Sequence, residues 1–579
     1  MEKIHFLENP ITTEIVRNAL ISVANEMVES LFRSAYSPII YELQDCAVAI
    51  FNENMEMLGQ SLGVPIFLGS LGNTIKVATK YYGGIDSYQE GDFYVLNDSY
   101  LTGTHLQDIT VFSPIFYKGN LVGFASNTAN WLDVGAKSPA TPVQSTSIFQ
   151  EGLRMGPIKI IDRGEMRKDL FDTICMNSRF PANAMGDFNA QIGACKTGEK
   201  RLIEIIEKFG LDTLKRATHD VNLQSENTER EMIAKLPEGT YAAEGFLDND
   251  GITNEPVIVK VKLTIKSGEI YIDLSGSNKM VKGGTNCGLV ATEAACRMAY
   301  KMIVQPDAPV TAGCFKILHI NVPKGSIFDA HEPAACAWFF TPLGLLIDLI
   351  IKSLEDVMPD KITAAHYGDS MVCFLSGINS STGEYYLYDA PTVGGWGAYT
   401  KDDGENCLIN VTNGNFKNYP IEILESHYPL KLNQYKIRPD SGGPGRNRGG
   451  MGLIKEYETL MEETSLDLWF ERYKFPAWGV QGGKSGKPPK VLIRDSFGQI
   501  KSELLKFNSY HLGKGWKVTT CTGGGGGYGD PYKREPERVL DDFINEYISR
   551  EHAQKEYGVV ITEARTIDYE ATKKLRSLR

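Results

Sequence analysis

The spacing of hydrophobic and polar residues predicts alternating helices and strands over the N-terminal part of the chain. Apolar side chains recur at helical intervals over residues 11–36, and residues 71–82 can form a second helix. The apolar run 91–97 is typical of a buried strand. Two further strands are predicted at 109–116 and 121–126, separated by a short turn. The polar run 97–108 therefore directly follows the end of a strand.

Later segments follow other patterns. Charged residues at i,i+4 spacing predict solvated helices over 197–236, and apolar–polar alternation predicts strands between 239 and 274. The apolar run 337–351 predicts a buried helix, since it is shorter than the roughly 20 residues that span a membrane. From residue 369 onward short strands and glycine-rich turns dominate, and 533–579 is predicted to be helical and charged.

Together these patterns predict a large mixed chain of the α+β or α/β class, built in several layers. We expect an N-terminal unit over 1–235 that alternates helix and strand and carries the candidate site. We expect a β-rich unit with glycine-rich loops and a charged C-terminal helix over 236–579. At roughly 100–200 residues per domain, the length of 579 residues is compatible with three or four domains or with two large ones.

Charge and cysteine content narrow the classes of partner and compartment. The net charge of -12 argues against nucleic acid or an anionic membrane as the main partner, because both select a basic face. The ten cysteines form no CxxC pair and often lie in apolar runs, which is typical of buried, reduced thiols. The first residues lack the pattern of a signal peptide. We therefore expect a cytoplasmic protein.

A histidine and a carboxylate three residues apart, His105 and Asp108, form the strongest local signal for chemistry. Such a pair converges on one ion when a turn holds both side chains on one face, and this donor set suits Zn, Mn or Fe rather than Ca. Asn97, Asp98 and Thr104 crowd the same strand end. Because buried polar groups are costly unless they are paired, the crowding favours a site over an isolated structural hydrogen bond.

Two glycine-rich segments, 438–450 and 522–531, are the next candidates. The second contains five consecutive glycines, whose backbone N–H groups could hold an anion. It lacks the Gly-Lys-Ser/Thr of a phosphate-binding loop and the βαβ setting of a dinucleotide fingerprint. A close approach of two backbones explains the glycines equally well, so both interpretations stay open.

Several short runs resemble the hydantoinase B/oxoprolinase family, and they occur in order over nearly the whole chain: 97–108, 149–154, 186–194, 197–199, 312–315, 438–450 and 523–531. The resemblance implies the B component of a hetero-oligomeric, ATP-dependent enzyme of the hydantoinase, oxoprolinase, caprolactamase or ketone carboxylase type. It implies a hydantoinase A-type partner subunit that uses ATP and Mg to phosphorylate the substrate or bicarbonate. The B component then completes the reaction, usually around a metal.

The resemblance also implies site residues. Asp45, His105 and Asp108 match metal ligands of the family, with zinc or manganese as the expected divalent ion. Asn130 takes the position of a further family histidine, and Phe67 stands where the family often has another. Because an amide is a poorer ligand for a transition metal than imidazole, the departure at Asn130 implies an altered metal site.

These observations support three hypotheses. In the first, the chain helps to open a cyclic amide such as a hydantoin, oxoproline or lactam, with Asp45, His105, Asp108 and Asn130 as catalytic residues. Substrate binding is assigned to Asn97, Asp98, Thr104, Phe67 and Trp131. In the second, an apolar pocket at Phe67 serves a ketone in an ATP-dependent carboxylase of the acetone or acetophenone type. In the third, the chain is a non-catalytic structural subunit.

Overall fold

The computed structural model describes residues 6–578. Its helices are α1 (Pro10–Ser34), α2 (Pro38–Tyr41), α3 (Pro65–Tyr81), α4 (Ser99–Thr102), α5 (Lys168–Met176), α6 (Pro181–Phe209), α7 (Leu211–Ile233), α8 (Leu289–Val304), α9 (Phe340–Lys352), α10 (Ile421–His427), α11 (Pro536–Ile544), α12 (Arg550–Tyr557) and α13 (Tyr569–Ser577). Its strands are β1 (Cys46–Asn52), β2 (Met57–Gln60), β3 (Phe93–Leu96), β4 (Asp108–Tyr117), β5 (Asn120–Asn130), β6 (Ile158–Asp162), β7 (Glu165–Met166), β8 (Gly239–Leu247), β9 (Val257–Lys266), β10 (Glu269–Asp273), β11 (Leu318–Asn321), β12 (Val372–Ile378), β13 (Tyr385–Ala390), β14 (Leu430–Ile437), β15 (Leu453–Thr459), β16 (Thr464–Trp469), β17 (Lys490–Arg494), β18 (Ile500–Ser502), β19 (Lys506–Leu512) and β20 (Lys517–Cys521). The predicted mixture of helices and strands is confirmed.

Internal contacts divide the chain into two compact units. Within the described residues, unit 1 comprises Met1–Thr240, Lys262–Leu343 and Thr412–Asn418. Unit 2 comprises Tyr241–Val261, Gly344–Val411 and Tyr419–Arg579, again as far as the chain is described. Each unit is made of several segments that are discontinuous in sequence. The expected units 1–235 and 236–579, in contrast, are each one continuous stretch. That boundary therefore stays a prediction about which parts of the chain fold independently.

Unit 1 is built on a seven-stranded sheet with the order β2-β1-β5-β4-β3-β6-β7. Each neighbouring pair of strands in this sheet is antiparallel. The predicted turn between β4 and β5 is a tight hairpin, with Lys118 at φ +51° and Gly119 at φ +79°. Two consecutive positive φ angles match the twist of antiparallel strands. The site strands β1, β5 and β4 lie next to one another within this sheet.

Helices α3 and α6 begin earlier than their sequence patterns predict, at Pro65 rather than 71 and at Pro181 rather than 197. Glycines within the first turns conceal the helical pattern. A Cβ atom on Gly69 would lie 2.5 Å from the Cβ of Ala294, and one on Gly186 would lie 2.2 Å from the Tyr36 ring. These glycines let the helices pack closely against their neighbours. This tertiary packing outweighs the low helix propensity of glycine.

Unit 2 contains a four-stranded sheet, β13-β12-β16-β19, and a five-stranded sheet, β14-β15-β20-β17-β18. The five consecutive glycines 523–527 are buried in this unit. Their N–H groups from Gly524 to Gly527 donate to the backbone carbonyls of Lys487, Gly450, Ala365 and Lys484. Because these N–H groups already have partners, the structure favours close backbone approach over anion binding.

The apolar run that predicted a buried helix forms α9, whose 13 residues end at Lys352. Its apolar side chains, including Leu343, Leu346 and Leu349, are buried. Across residues 6–578, the helices fall short of the combined length and hydrophobicity needed to cross a membrane. All ten cysteines are free thiols, and eight of them are buried.

Candidate active site

Three polar residues distant in sequence lie side by side at one end of the unit 1 sheet. Asp108, the first residue of β4, is paired with Asn130, the last residue of β5. The backbone N–H of Asn130 donates to the backbone carbonyl of Asp45, 3.1 Å away, just before β1. Directly opposed residues in antiparallel strands point to the same face, so the side chains form a row. Asp45, Asn130 and Asp108 are 5%, 8% and 0% exposed.

His105 joins this row through the loop between α4 and β4. Its Nδ1 atom lies 3.1 Å from Oδ2 of Asp108. Neither atom meets the geometry of a hydrogen bond with any of the described residues, although both are buried.

The buried setting changes the acidity of both side chains. Burial lowers the pKa of His105 to about 3, so its imidazole is neutral. Burial raises the pKa of the Asp108 carboxyl well above its usual range, and the neighbouring Asp45 carboxyl raises it further. The hydroxyl of Thr104 opposes this effect. Asp108 is consequently a stronger base than an exposed aspartate when it is ionised.

The donor chemistry fits a divalent metal, because neutral imidazole and carboxylate are ligands of zinc and manganese. The atoms of His105 and Asp108 that face each other without a hydrogen bond would both be satisfied by such an ion. However, no group of three or more His, Cys, Asp or Glu side chains within residues 6–578 is spaced to hold a metal. The row therefore provides a partial site, which would need further ligands from water or substrate.

Asn97 and Asp98 support the loop that carries His105. The Asn97 amide donates to the carbonyls of Leu106, at 2.6 Å, and Leu153, at 2.9 Å, and its Oδ1 accepts from the Met155 N–H. Asp98 caps α4 by accepting from the Tyr100 N–H at 3.0 Å. Both side chains are thus engaged with backbone groups, and the substrate contact expected for them from the sequence stays a prediction.

Phe67 and Trp131 occupy different surroundings. Phe67 lies buried in the first turn of α3, and the residue before that helix, Val64, donates its N–H to the Cys46 carbonyl next to Asp45. The Trp131 indole N–H donates to Oε1 of Gln191 in α6, at 3.0 Å. The structure therefore ties the start of α3, rather than Phe67 itself, to the residue next to Asp45, whereas the Trp131 side chain packs against α6.

Phe339, next to His105, and Glu151, which is bonded to the same segment as Phe339, were not predicted from the sequence. The Phe339 ring packs edge-on against the His105 ring, with centroids 5.4 Å apart. Glu151 is 1% exposed and accepts hydrogen bonds from the backbone N–H groups of Cys336 and Ala337. Phe339 lies 234 positions beyond His105 in an apolar run, so no local pattern distinguished it. Glu151 lay within the family-like run 149–154, but its burial was not predictable.

Unit 1 also contains a cavity of about 280 Å³ lined by residues of α1, β2 and α7. Its walls are mainly apolar, with Arg17 as its one charged residue among those that line it. None of the residues predicted for the site lines this cavity. The geometry of the row, rather than the presence of a cavity, therefore locates the candidate site.

Comparison with known proteins decides the family. The family model of hydantoinase B/oxoprolinase matches residues 9–531. This chain belongs to that family. Over 98% of both chains, it is 33% identical to a protein of Pseudomonas sp. (strain NS671) that is named as a putative D-/L-hydantoinase subunit. It is 30% identical to the beta subunit of caprolactamase from Pseudomonas jessenii, over 97% of this chain and 98% of that protein.

Solved structures agree with the family assignment. The crystal structure of ATP-dependent caprolactamase from Pseudomonas jessenii matches with a TM-score of 0.92 and 28% identity, over 99% of this chain and 100% of that chain. A nucleotide-free acetone carboxylase structure matches with a TM-score of 0.90 over 99% of this chain and 83% of that chain. At 20% identity, the second likeness shows a common fold alone.

Proposed function

We propose that this family member is the B component of an ATP-dependent amidohydrolase that opens a cyclic amide such as a hydantoin, oxoproline or lactam. The observation that carries the proposal is the nearly full-length similarity to subunits named for hydantoinase and caprolactamase. In this proposal a hydantoinase A-type partner subunit, which uses ATP and Mg, phosphorylates the substrate. The carbon of the O-phosphorylated amide is electrophilic, and the B component directs water to it. The ring C–N bond then breaks, with its electron pair and a proton going to the nitrogen, and hydrolysis of the resulting acyl phosphate by a second water releases inorganic phosphate.

The buried row supplies groups for this hydrolysis. Asp108, with its raised pKa, accepts a proton from the attacking water as the general base. The Asn130 amide, beside Asp108 in the sheet, donates to the oxygen on which negative charge develops. Asp45 and His105 lie on the same side and orient the water.

In this proposal His105 and Asp108 would supply two ligands to a divalent metal, with Asp45 beside them in the row and water or substrate completing the ligand set. A bound zinc or manganese ion would supply a water of lowered pKa at this position. The neutral state of His105 suits that role, because a metal binds the unprotonated imidazole. Elemental analysis of the purified complex measures whether the ion is retained, and His105→Ala is expected to reduce its amount.

The decisive experiment uses the complex in which this chain is copurified with its ATP-using partner. ATP-dependent ring opening is measured with a hydantoin, 5-oxoproline and a lactam, and Asp108→Asn is expected to lower kcat by roughly 10²–10⁴-fold, as loss of a general base does. His219→Ala, on the exposed face of α7, is the control and is expected to retain activity. Absence of ring opening by the intact complex with all three substrates would refute the proposal.

A component of a ketone carboxylase is the second candidate. The buried phenyl ring of Phe67, where the family often has a histidine, favours a less polar pocket that suits a ketone. ATP hydrolysis that requires both bicarbonate and a ketone would support this reaction over ring opening. If His105→Ala leaves the complex fully active and no metal is bound, the chain acts as a non-catalytic subunit instead.

A further inference from the structure

A short segment of unit 1, residues 335–339, presents an aromatic ring to the candidate site. One side of this segment is held by Glu151, whose Oε1 atom accepts from the N–H groups of Cys336 and Ala337, each at 3.0 Å. The Ser145 hydroxyl donates to the same oxygen at 2.6 Å. The carboxylate thus links the loop of residues 145–151 to the segment that ends in Phe339.

The other side of the segment is held by residues 284–287. The Asn286 amide donates to the Ala335 carbonyl at 2.8 Å, and the Trp338 N–H donates to the Gly284 carbonyl at 2.8 Å. The Cys287 thiol donates to the Phe339 carbonyl at 3.3 Å. Because its backbone is bonded on both sides, the segment offers Phe339 little freedom to move away from His105.

The contact between the two rings is direct. The Phe339 and His105 rings are nearly perpendicular, at 83°, with centroids 5.4 Å apart. Edge-to-face contact at this separation is a favourable arrangement of aromatic rings. Phe339 is 2% exposed, so its ring is packed within the protein directly against His105.

We propose that Phe339, held in place by Glu151, is a specificity-determining wall that selects the size of the substrate ring at His105 and Asp108. The inference rests on the proposed function, since it concerns the same cyclic amide. A substrate whose carbonyl carbon lies beside the Asp108 carboxylate places its ring carbons near the adjacent phenyl group. A rigid apolar wall at that position favours a ring that fills the space and excludes one that is larger.

A buried carboxyl group at Glu151 is energetically unfavourable by itself, and this supports a role for it in holding the segment that carries Phe339. Burial raises the pKa of Glu151 to about 7, against the opposing effect of its hydrogen bonds. A buried carboxyl group destabilises a fold unless it is fully bonded, and a neutral residue would avoid that cost. The hydrogen bonds that Glu151 accepts from Cys336 and Ala337 offset this cost and fix the segment.

The test compares lactams of five, six and seven ring atoms with the assembled complex. Removing the ring in Phe339→Ala is expected to change the ratio of kcat/KM between the smallest and largest lactams at least tenfold, because one methylene in an apolar pocket changes rates by roughly 10–200-fold. Phe339→Leu is expected to restore part of the selectivity. Phe340→Ala is the matched control, since that ring is also buried and packs against Phe339.

A double-mutant cycle tests the part played by Glu151. Glu151→Gln is expected to alter the same selectivity ratio, and to have no additional effect on it when Phe339 is already alanine. If the two substitutions instead act additively, or if Phe340→Ala changes selectivity as much as Phe339→Ala, the inference is overturned. Thermal unfolding of each variant separates these effects from a general loss of stability.

Binding measurements keep the inference separate from the proposed function. The same lactams are titrated into the complex without ATP, and the order of their affinities is compared between the wild type and Phe339→Ala. A changed order without any turnover would support the wall while refuting the hydrolase. Turnover with an unchanged order of affinities and rates, or no lactam binding at all, would overturn the wall.

Discussion

Gly525 provides a strong test of the packing in unit 2. A Cβ atom at this position would lie 2.0 Å from the Trp396 carbonyl oxygen and 2.8 Å from the Gly397 nitrogen. Non-bonded carbon atoms pack at about 3.5–4.0 Å, so Gly525→Ala would force backbone atoms apart by more than about 1 Å. The neighbouring atoms belong to backbone and cannot rotate away as a flexible side chain can.

The expected loss of stability follows from two contributions. Overpacking a well-filled interior costs about 1–3 kcal/mol. The displacement also disturbs the bonds from Gly525 N–H to the Gly450 carbonyl and from Gly443 N–H to the Gly525 carbonyl, and each buried group left without a partner costs about 1–3 kcal/mol. We therefore expect a loss of about 4 kcal/mol or more, a large part of the roughly 5–15 kcal/mol that stabilises a folded protein.

Urea unfolding followed by circular dichroism measures this loss as a lower midpoint, together with the yield of soluble protein. Gly193→Ala is the matched control, because Gly193 lies within α6 and a Cβ there would meet no atom within 4 Å. Alanine in a helix is more stable than glycine by about 0.5–1 kcal/mol, so the control is expected to raise the midpoint. A Gly525→Ala protein with the wild-type midpoint would refute the close-packing interpretation.

Three further substitutions have defined outcomes. Asn130→His is expected to increase the zinc or manganese retained by the purified complex, measured by elemental analysis, because imidazole is the better ligand. Arg534→Met removes the buried cation between the carboxylates of Asp403, which is partly buried, and Asp542, which is buried, 2.6 and 2.7 Å away, and is expected to destabilise the protein by about 3–5 kcal/mol in urea. Burial raises the pKa of Asp467 from 3.8 to about 6, so its ionisation costs the wild type about 3 kcal/mol of stability as pH rises from 4 to 7. Asp467→Asn is expected to abolish that decline in a pH series of unfolding curves, and an unchanged decline would contradict the assignment.

The sequence predicted the parts of unit 1 in which local pattern and tertiary environment agree. The helix over 11–36 corresponds to α1, where Asn9 caps the first turn and the apolar stripe faces the interior. The hairpin of β4 and β5 was predictable because Lys118 and Gly119 lie between two apolar runs. The early starts of α3 and α6 were not predictable, since only the distant packing partners explain their glycines.

The candidate site shows the same limit. His105 and Asp108 were predictable as a pair because they lie three positions apart in the sequence. The family resemblance implied that Asp45 and Asn130 belong to the same site. Their meeting with the pair depends on the strand order β1-β5-β4, which no local pattern encodes. Phe339 reaches His105 from a segment remote in sequence, through hydrogen bonds to Glu151. Local patterns thus indicated which groups carry chemistry, whereas sheet topology and long-range bonds determine what surrounds them.

Asn130 stands where the family resemblance implies a histidine, and this difference bears on the chemistry of the row. Asn130 lies between Asp45 and Asp108 in the sheet, so the residue at this position faces two carboxylates. A histidine there would add a second imidazole, and the row would then contain two nitrogen and two carboxylate ligands. The amide leaves one imidazole, but it adds an uncharged N–H donor beside a carboxylate whose pKa is already raised. We propose that the amide shifts the balance of the row from holding a cation towards donating hydrogen bonds to an oxygen, and Asn130→His tests that balance through metal content and kcat in the same protein.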